Sequence, residues 1–432
     1  MLSKRALATL DAPALDQALA LDQRVERSLG LPLICSGARL RGELAIGRVL
    51  GRGRHGTVWA ARTPRDACLA LKCIPLQEQA LGKRLREVSV TLDELYGILA
   101  CNAALACVPH FPRAHSIHLL EEDDDAAASA LLAAGSSAWL EPDRLAWAIV
   151  MEQCDGTLEE MERSGAAPAA FERAEAPLLI AMQLFAAFYT LGHCFQLCNN
   201  DAYGRNVLYN RLASDGSDGD ELHLLYCFGG AQYLVPSGGY VWKLTDFGLA
   251  TRSALQAPRV QAIDDEPIAH PTATHVSLLK RFPRYGRDVS AALQALASVF
   301  PRSAWLKSAS HYLDRCLRNG SLLTCVGLAH FVQHVAAPEF LRSTGLPADL
   351  LQPQLAKCRR LQAARALRVC NVDAADAKAM RARVQAQFAE LRDSALGYIY
   401  DTSSASSGSY SAGLATSSDS WGSDEPRHDS AL

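Results

Sequence analysis

One residue constrains this chain more than any other: Lys72, the single cation inside the apolar run CLALKCIP. The run reads as a strand interior. A lysine there is normally kept out of a core unless anionic oxygens compensate its burial; on an edge strand it would instead snorkel to water. A buried Lys72 therefore obliges the fold to bring a carboxylate from elsewhere. The next segment, LQEQALGKRLREVSVTLDELYGILA, places Leu85, Val88, Leu92, Leu95 and Leu99 at helical spacing and carries Glu87 and Glu94. The two acids share a helix face but stand about 10 Å apart along its axis, so only one can meet Lys72. Glu87 is the expected partner, and Glu94 is expected on a solvated face.

Upstream, LRGELAIGRVLGRGRHGTVWAARTP alternates as a strand, a glycine turn and a second strand. Gly51, Gly53 and Gly56 with Val58 spell GxGxxGxV, in which missing side chains let the backbone bend tightly over phosphates. Three glycines also mark ordinary hairpins. A dinucleotide-binding turn would be followed by a helix, and here a strand follows.

Two further stretches carry chemistry. CNNDAYGRNVLYN sets Asp201 five residues before Asn206, and KLTDFGLA sets Asp246 before Phe247 and Gly248. An Asp able to take a hydroxyl proton, with an Asn and a second Asp able to hold cations on phosphates, is the equipment of phosphoryl transfer. Between the strands and these loops, RLAWAIVMEQCDGTLEEM ends an apolar strand at Met151, Glu152, Gln153 and Cys154. With nothing cationic adjoining it in sequence, Cys154 reads as a packing residue. A long helix over about 176–195 is apolar almost all round, as a buried scaffold helix would be. The run EEDDD at 121–125 reads as a solvated loop insertion. The segment 211–240 alternates between glycine turns, which predicts a lengthened hairpin.

In this order and at these spacings, over roughly 40–300, the glycine turn, Lys72, the Met151–Cys154 segment, Asp201 with Asn206, and Asp246-Phe247-Gly248 resemble the protein kinase superfamily. Within it the chain resembles a divergent branch of serine/threonine kinases in large DNA viruses. The resemblance implies an α+β, bilobal protein-kinase fold. A small β-rich lobe would occupy 41–156, with the acidic insertion near 121–137, and a large, mainly helical lobe 157–398, with a hairpin insertion near 211–240. A helical extension over 1–40 and a disordered Ser-rich tail over 399–432 would flank them, the tail being too poor in apolar residues to order itself. ATP and Mg2+ are the implied cofactors. Asp201 would be the base, Lys72 with Glu87 would hold phosphate, and Asn206 and Asp246 would hold metal. Gly51, Gly53, Gly56, Val58, Ala70, Met151 and the backbone of Glu152 and Cys154 would enclose the nucleotide. Asp288 looks like the acid that pins the catalytic-loop backbone from the central helix, and an N-cap would suit the same position.

The chain also departs from the family. Asn199 and Asn200 replace the His and Arg that usually precede the base, Tyr203 stands where serine/threonine members keep a lysine, and no Ala-Pro-Glu closes the segment after Gly248. Two other readings are weighed against these residues. A pseudokinase scaffold commonly lacks the lysine or one of the two Asp residues, all three of which are present. A small-molecule kinase of the aminoglycoside or choline type shares the Asp-x4-Asn loop, but Asp-Phe-Gly-Leu-Ala and the valine-ended glycine turn argue against it.

Composition narrows the partners. With 49% hydrophobic and 21% charged residues and a net charge of -3, the chain offers nucleic acid no general attraction. Its 13 cysteines are odd in number and lack a Cys-x-x-Cys pair, which fits a reducing, cytoplasmic setting. The amino-terminal stretch, interrupted by charge and proline, does not read as a signal peptide. The richest apolar run, around 178–195, is broken by polar groups and is not expected to span a bilayer. The expected partner is a protein substrate, with no nucleic acid and no membrane, and no oligomeric state is implied.

Overall fold

A computed structural model describes residues 33–36, 44–53, 56–63, 66–76, 94–120, 145–164, 173–212, 221–252, 285–318, 325–344 and 350–406. The fold is mixed α and β, with a sheet-rich amino-terminal region followed by a mainly helical one. The chain divides into two compact units, 1–391 and 392–432.

The first region is one six-stranded sheet. Its strands are β1 (Leu33–Ser36), β2 (Ala45–Gly53), β3 (Gly56–Arg62), β4 (Cys68–Leu76), β5 (Ala114–Leu120) and β6 (Leu145–Glu152), in the order β1-β5-β6-β4-β3-β2. Helix α1 (94–104) lies in the chain between β4 and β5. The period-two alternation read from the sequence sorts the side chains. Trp59, Ala61, Leu71, Cys73, Ala148 and Val150 cluster on one face, packed by Leu44, Ile46, Val49 and Leu69. Cross-strand partners in an antiparallel pair share a face. The pairings Val58 with Lys72, Lys72 with Ile149, Ala60 with Ala70 and Ala70 with Met151 therefore line the opposite one.

The sheet begins earlier than the sequence implied. β1 lies within the stretch read as a helical extension and pairs with β5, parallel, from Leu33 with Ser116 to Ser36 with Leu119. The rest of that extension lies outside the described residues, as does the acidic insertion.

The second region opens with β7 (Gly156–Thr157) and α2 (Leu158–Ser164). A capping box starts α2: Thr157 Oγ1 accepts from the Glu160 N–H at 3.0 Å, and Glu160 Oε2 accepts from the Thr157 N–H at 2.9 Å. Helix α3 (Ala176–Thr190) has Pro177 in its first turn and is buried at every position. It continues as a π-helical turn over Leu191–Phe195. By length and composition Ala176–Phe195 is apolar enough to cross a membrane, and its most apolar stretch is 94% buried inside the protein. Burial is satisfied by packing on neighbouring elements and by Gln183, whose Oε1 accepts from the Trp242 N–H at 3.0 Å.

Beyond α3 come β8 (Leu197–Cys198), β9 (Val207–Arg211), β10 (His223–Phe228), β11 (Ala231–Pro236), β12 (Tyr240–Leu244) and β13 (Thr251–Arg252). Then follow α4 (Tyr285–Val299), α5 (Ala304–Arg318), α6 (Cys325–Phe331), α7 (Ala337–Thr344), α8 (Leu355–Ala363), β14 (Leu367–Asn371) and α9 (Ala377–Ser406). The segment 211–240 does not lengthen one hairpin, as expected, but builds a second. β9 pairs directly with β12, beside β7, while β10 and β11 form their own hairpin around Gly229 and Gly230. Both glycines have positive φ, 62° and 76°, and their N–H groups donate to Asp373 at 2.9 and 2.8 Å. β14 completes this sheet by pairing parallel with β10, and α8 covers it through Cys358 and Leu361. Helix α9 runs past 399, where the sequence predicted disorder, to Ser406.

A buried histidine ties the two regions together. His110, in the turn after α1, bonds through Nδ1 to the Trp242 carbonyl at 2.8 Å and through Nε2 to the Tyr226 hydroxyl at 2.6 Å. A carbonyl only accepts, so Nδ1 carries the proton and the ring is neutral. Burial, with the nearby positive charges of Arg368 and Lys243, pushes its pKa down to about 3. Below its ordinary pKa of about 6.5 the unfolded chain takes up a proton that the folded protein refuses, so stability is lost as pH falls. The expected loss from this group is about 2 kcal/mol between neutral pH and about pH 5. Thermal unfolding across that range is expected to show it, and His110→Gln should flatten the slope.

Candidate active site

β4 holds Lys72 on the inner face of the sheet, and α1 brings a carboxylate to it. That carboxylate belongs to Glu94, not Glu87: Glu94 forms an ion pair with the Lys72 Nζ. Glu94 is fully buried and leads the run Leu95, Tyr96, Gly97, Ile98, Leu99 and Ala100, all of it buried. The inner face of this helix is set by that apolar run, so the acid at its head turns inward. Glu87 lies outside the described residues. Lys72 has a second anion at 3.3 Å, Asp246 Oδ1. Burial alone would push the Lys72 pKa down, but Glu94 and Asp246 outweigh it and raise it above its ordinary value.

Asp246 follows β12 with a left-handed backbone, φ 60°. Asn199 holds that turn in place: its Nδ2 donates to the carbonyls of Asp246 at 2.8 Å and Thr245 at 3.3 Å. Phe247 is buried against α1 at Gly97, where a Cβ would come within 2.7 Å of the Phe247 Cγ. Ala has the better helix propensity by up to about 1 kcal/mol, while overpacking a filled site costs about 1–3 kcal/mol. Gly97→Ala is therefore expected to lower stability by about 1 kcal/mol, read by denaturant unfolding, because Asp246 and Glu94 flank the contact and neither can yield freely.

The loop 199–206 is built around Asp201. The Asn206 Nδ2 donates to the Asp201 Oδ2 at 2.7 Å and to its backbone carbonyl at 2.8 Å, so Oδ1 is the Asn206 atom left to meet a cation. The Asn206 carbonyl in turn accepts from the Thr245 N–H at 3.0 Å, which joins this loop to the one carrying Asp246. Asp288, on α4, pins the loop from below by accepting the N–H groups of Asn199 at 2.9 Å and Asn200 at 2.6 Å. Burial raises its pKa to about 7 despite those two bonds. Asn200 takes a left-handed backbone, φ 64°, and its Nδ2 donates to the Leu249 carbonyl at 3.0 Å. The two asparagines that the sequence marked as departures are thus the ties between the two loops.

The remaining predicted residues fall around the same inner face. Val58, Ala70 and Met151 share it with Lys72, as the strand register requires. Gly53 pairs with Gly56 at the turn between β2 and β3. A side chain at Gly56 would strike the Cys73 carbonyl, whereas Gly51 faces open space. The Glu152 N–H donates to the Arg113 carbonyl at 2.8 Å, so it is not offered to a ligand. Its carboxylate accepts from the Lys243 Nζ at 2.8 Å on both oxygens, from the Asn210 Nδ2 at 2.5 Å and from the Arg113 N–H at 3.1 Å. Burial works against that charge, but Lys243 outweighs it and pulls the Glu152 pKa below its ordinary value. Burial pushes the Cys154 thiol up to about 12, which suits a packing residue.

Among the described residues no group of three or more His, Cys, Asp or Glu side chains gathers as a metal site. Magnesium does not demand one, since it binds through one or two carboxylates, waters and substrate phosphates. Asp246, a carboxylate whose side chain is 34% exposed, and the Asn206 Oδ1 are hard oxygen donors of that kind. Of the residues sequence reasoning missed, Glu94 was visible as the acid heading an unbroken apolar run. Gly97, three residues on, was visible as the one residue of that helix able to admit a ring. Compared with known proteins, the chain matches no protein family and no curated protein.

Proposed function

We propose that the protein is a protein kinase that transfers the γ-phosphate of ATP to serine or threonine hydroxyls of proteins, on a bilobal kinase scaffold. The observation that carries this reading is the buried Lys72 ammonium between Glu94 and Asp246, with Asp246 linked through Thr245 to Asn206 and Asp201. A buried cation already balanced by one carboxylate, with a second at the cleft side, is suited to phosphate oxygens.

The proposed division of labour is supported by where these residues lie. Val58, Ala70 and Met151 offer an apolar wall to a purine, and the Glu152 carbonyl and Cys154 backbone offer polar groups to its edge. Lys72 orients phosphate, and Glu94 keeps the lysine extended. Magnesium held by Asp246 and Asn206 would neutralise phosphate charge. Asp201, fixed by Asn206, takes the proton of the substrate hydroxyl as its oxygen forms a bond to the γ-phosphorus. The bond from that phosphorus to the bridging oxygen breaks, and its electron pair leaves on ADP. Asn199, Asn200 and Asp288 do no chemistry and hold the two loops in register.

The test is incubation of the purified full chain with γ-labelled ATP, Mg2+ and casein, followed by phosphoamino-acid analysis. Label on Ser and Thr is the expected result. Label on Tyr alone would replace the acceptor class. Failure of Mg-ATP to raise the unfolding temperature would overturn the reading, and binding without transfer would favour an ATP-binding scaffold.

A further inference from the structure

His330 and His334 stand four residues apart where α6 passes into α7 through a π-helical turn, Val332–Ala336. Both side chains are exposed, and their rings lie 4.4 Å apart between centres with the planes at 42°. In a regular α-helix the fourth residue overshoots a full turn by about 40°. The wider π turn takes up that overshoot, so the two rings meet. The backbone beneath them is fixed from behind. Phe331 is buried against Phe185 of α3, at 6.2 Å between ring centres, and the Trp305 Nε1–H donates to the Ala336 carbonyl at 2.9 Å. Two charged imidazoles so close would repel. Partial burial, and then the His330 charge, lower the His334 pKa from its ordinary value. A neutral imidazole offers one nitrogen lone pair, and among the described residues no hydrogen bond occupies either ring. Imidazoles at i and i+4 on one helix face are a chelating pair for a borderline divalent ion. Phe331 fills the position next to the first histidine where a zinc-protease helix carries its Glu base, so this pair can hold an ion but has no base to activate water.

We propose that His330 and His334 form a binding site for one divalent transition-metal ion of the zinc and copper class, which staples α6 to the π-helical turn. Each ring gives the ion one nitrogen, at about 2.0–2.1 Å after a small rotation. Among the described residues no third His, Cys, Asp or Glu joins them, so water fills the remaining positions. The site is independent of the kinase reading. Its ion is also not the Mg2+ proposed for the cleft, which takes oxygen ligands.

The experiment titrates the full chain with Zn2+ by calorimetry, beside His330→Gln, His334→Gln and the double variant. The 13 cysteines give Zn2+ other ligands, so the difference between the proteins is read, not the total. Wild type is expected to bind one Zn2+ more than the double variant, and each single variant to hold that ion at least tenfold more weakly. Excess Mg2+ should leave it in place. Zn2+ should also raise the unfolding temperature of wild type further than that of the double variant, while the metal-free proteins unfold together. Equal Zn2+ binding by wild type and the double variant overturns the site. So does a loss confined to one single variant, which gives the ion to another partner, and so does displacement by Mg2+. Should a variant prove unstable, the imidazole nitrogen resonances of His330 and His334 in wild type decide: both sets must shift on addition of Zn2+, and unmoved resonances overturn the site.

Discussion

Asp201→Asn is expected to abolish phosphate transfer while Mg-ATP still raises the unfolding temperature as it does for wild type. The substitution is nearly isosteric and keeps the backbone carbonyl that accepts from Asn206 at 2.8 Å, so the loop has little reason to move. What is lost, on the proposed mechanism, is the group that takes the hydroxyl proton. Removing a general base costs typically 10²–10⁴ in rate, or about 2.7–5.4 kcal/mol of transition-state stabilisation. Turnover with labelled ATP reads the loss, and a residual rate within tenfold of wild type would remove Asp201 from the chemistry.

Glu94→Ala should be nearly as damaging to activity, and more damaging to the fold. The Lys72 side chain is 13% exposed and that of Glu94 only 1%, so the deletion strands a buried ammonium with Asp246 as its remaining anion. Breaking a buried pair from one side costs about 3–5 kcal/mol, and the nearby Asp246 should hold the loss to the lower end of that range. Turnover is expected to fall at least a hundredfold, because Lys72 then leans on Asp246 and draws it from its metal-facing role. Glu87→Ala should stay within threefold of wild type. The reverse ranking of the two alanine variants, in turnover and in denaturant unfolding, would return the partnership to Glu87.

These two residues also mark where the sequence was legible and where it was not. Asp201, Asn206, Asp246 and Lys72 could be chosen because each sits in a local pattern: a loop spacing, an Asp-Phe-Gly, a charge inside an apolar strand. The structure brings Lys72 against Asp246, and Asn206 against Asp201. The choice between Glu87 and Glu94 was of another kind. By sequence spacing alone the two acids, seven residues apart, would share one helix face, and that spacing does not say which of them meets Lys72. The choice is fixed by contacts such as Phe247 on Gly97, which pair residues far apart in the chain. The alternation of β2 and β3 was readable because period two is a property of neighbours. The parallel pairings of β1 with β5 and β14 with β10 were not, because a parallel strand arrives from a distant segment with no turn to announce it. Asn199 and Asn200 read as losses because only the absence of charge was visible. Their bonds to Asp246 and Leu249 exist only once the two loops face each other.

The closing strand of the β10 sheet has a consequence for how the protein is made. β14 lies 144 positions downstream of the strand it pairs with, as His223 matches Leu367, and Asp373 reaches back as far to the Gly229 N–H. Shortly after it, Phe388 of α9 stacks edge-on against Tyr96, at 5.4 Å between ring centres, on the same helix that carries Glu94. A chain emerging from the ribosome can finish its first sheet early, yet the buttress behind Glu94 is still inside the exit tunnel. Long-range pairings of this kind close slowly and late. Messages truncated before residue 388 should therefore yield chains whose α1 lacks the Phe388 ring against Tyr96.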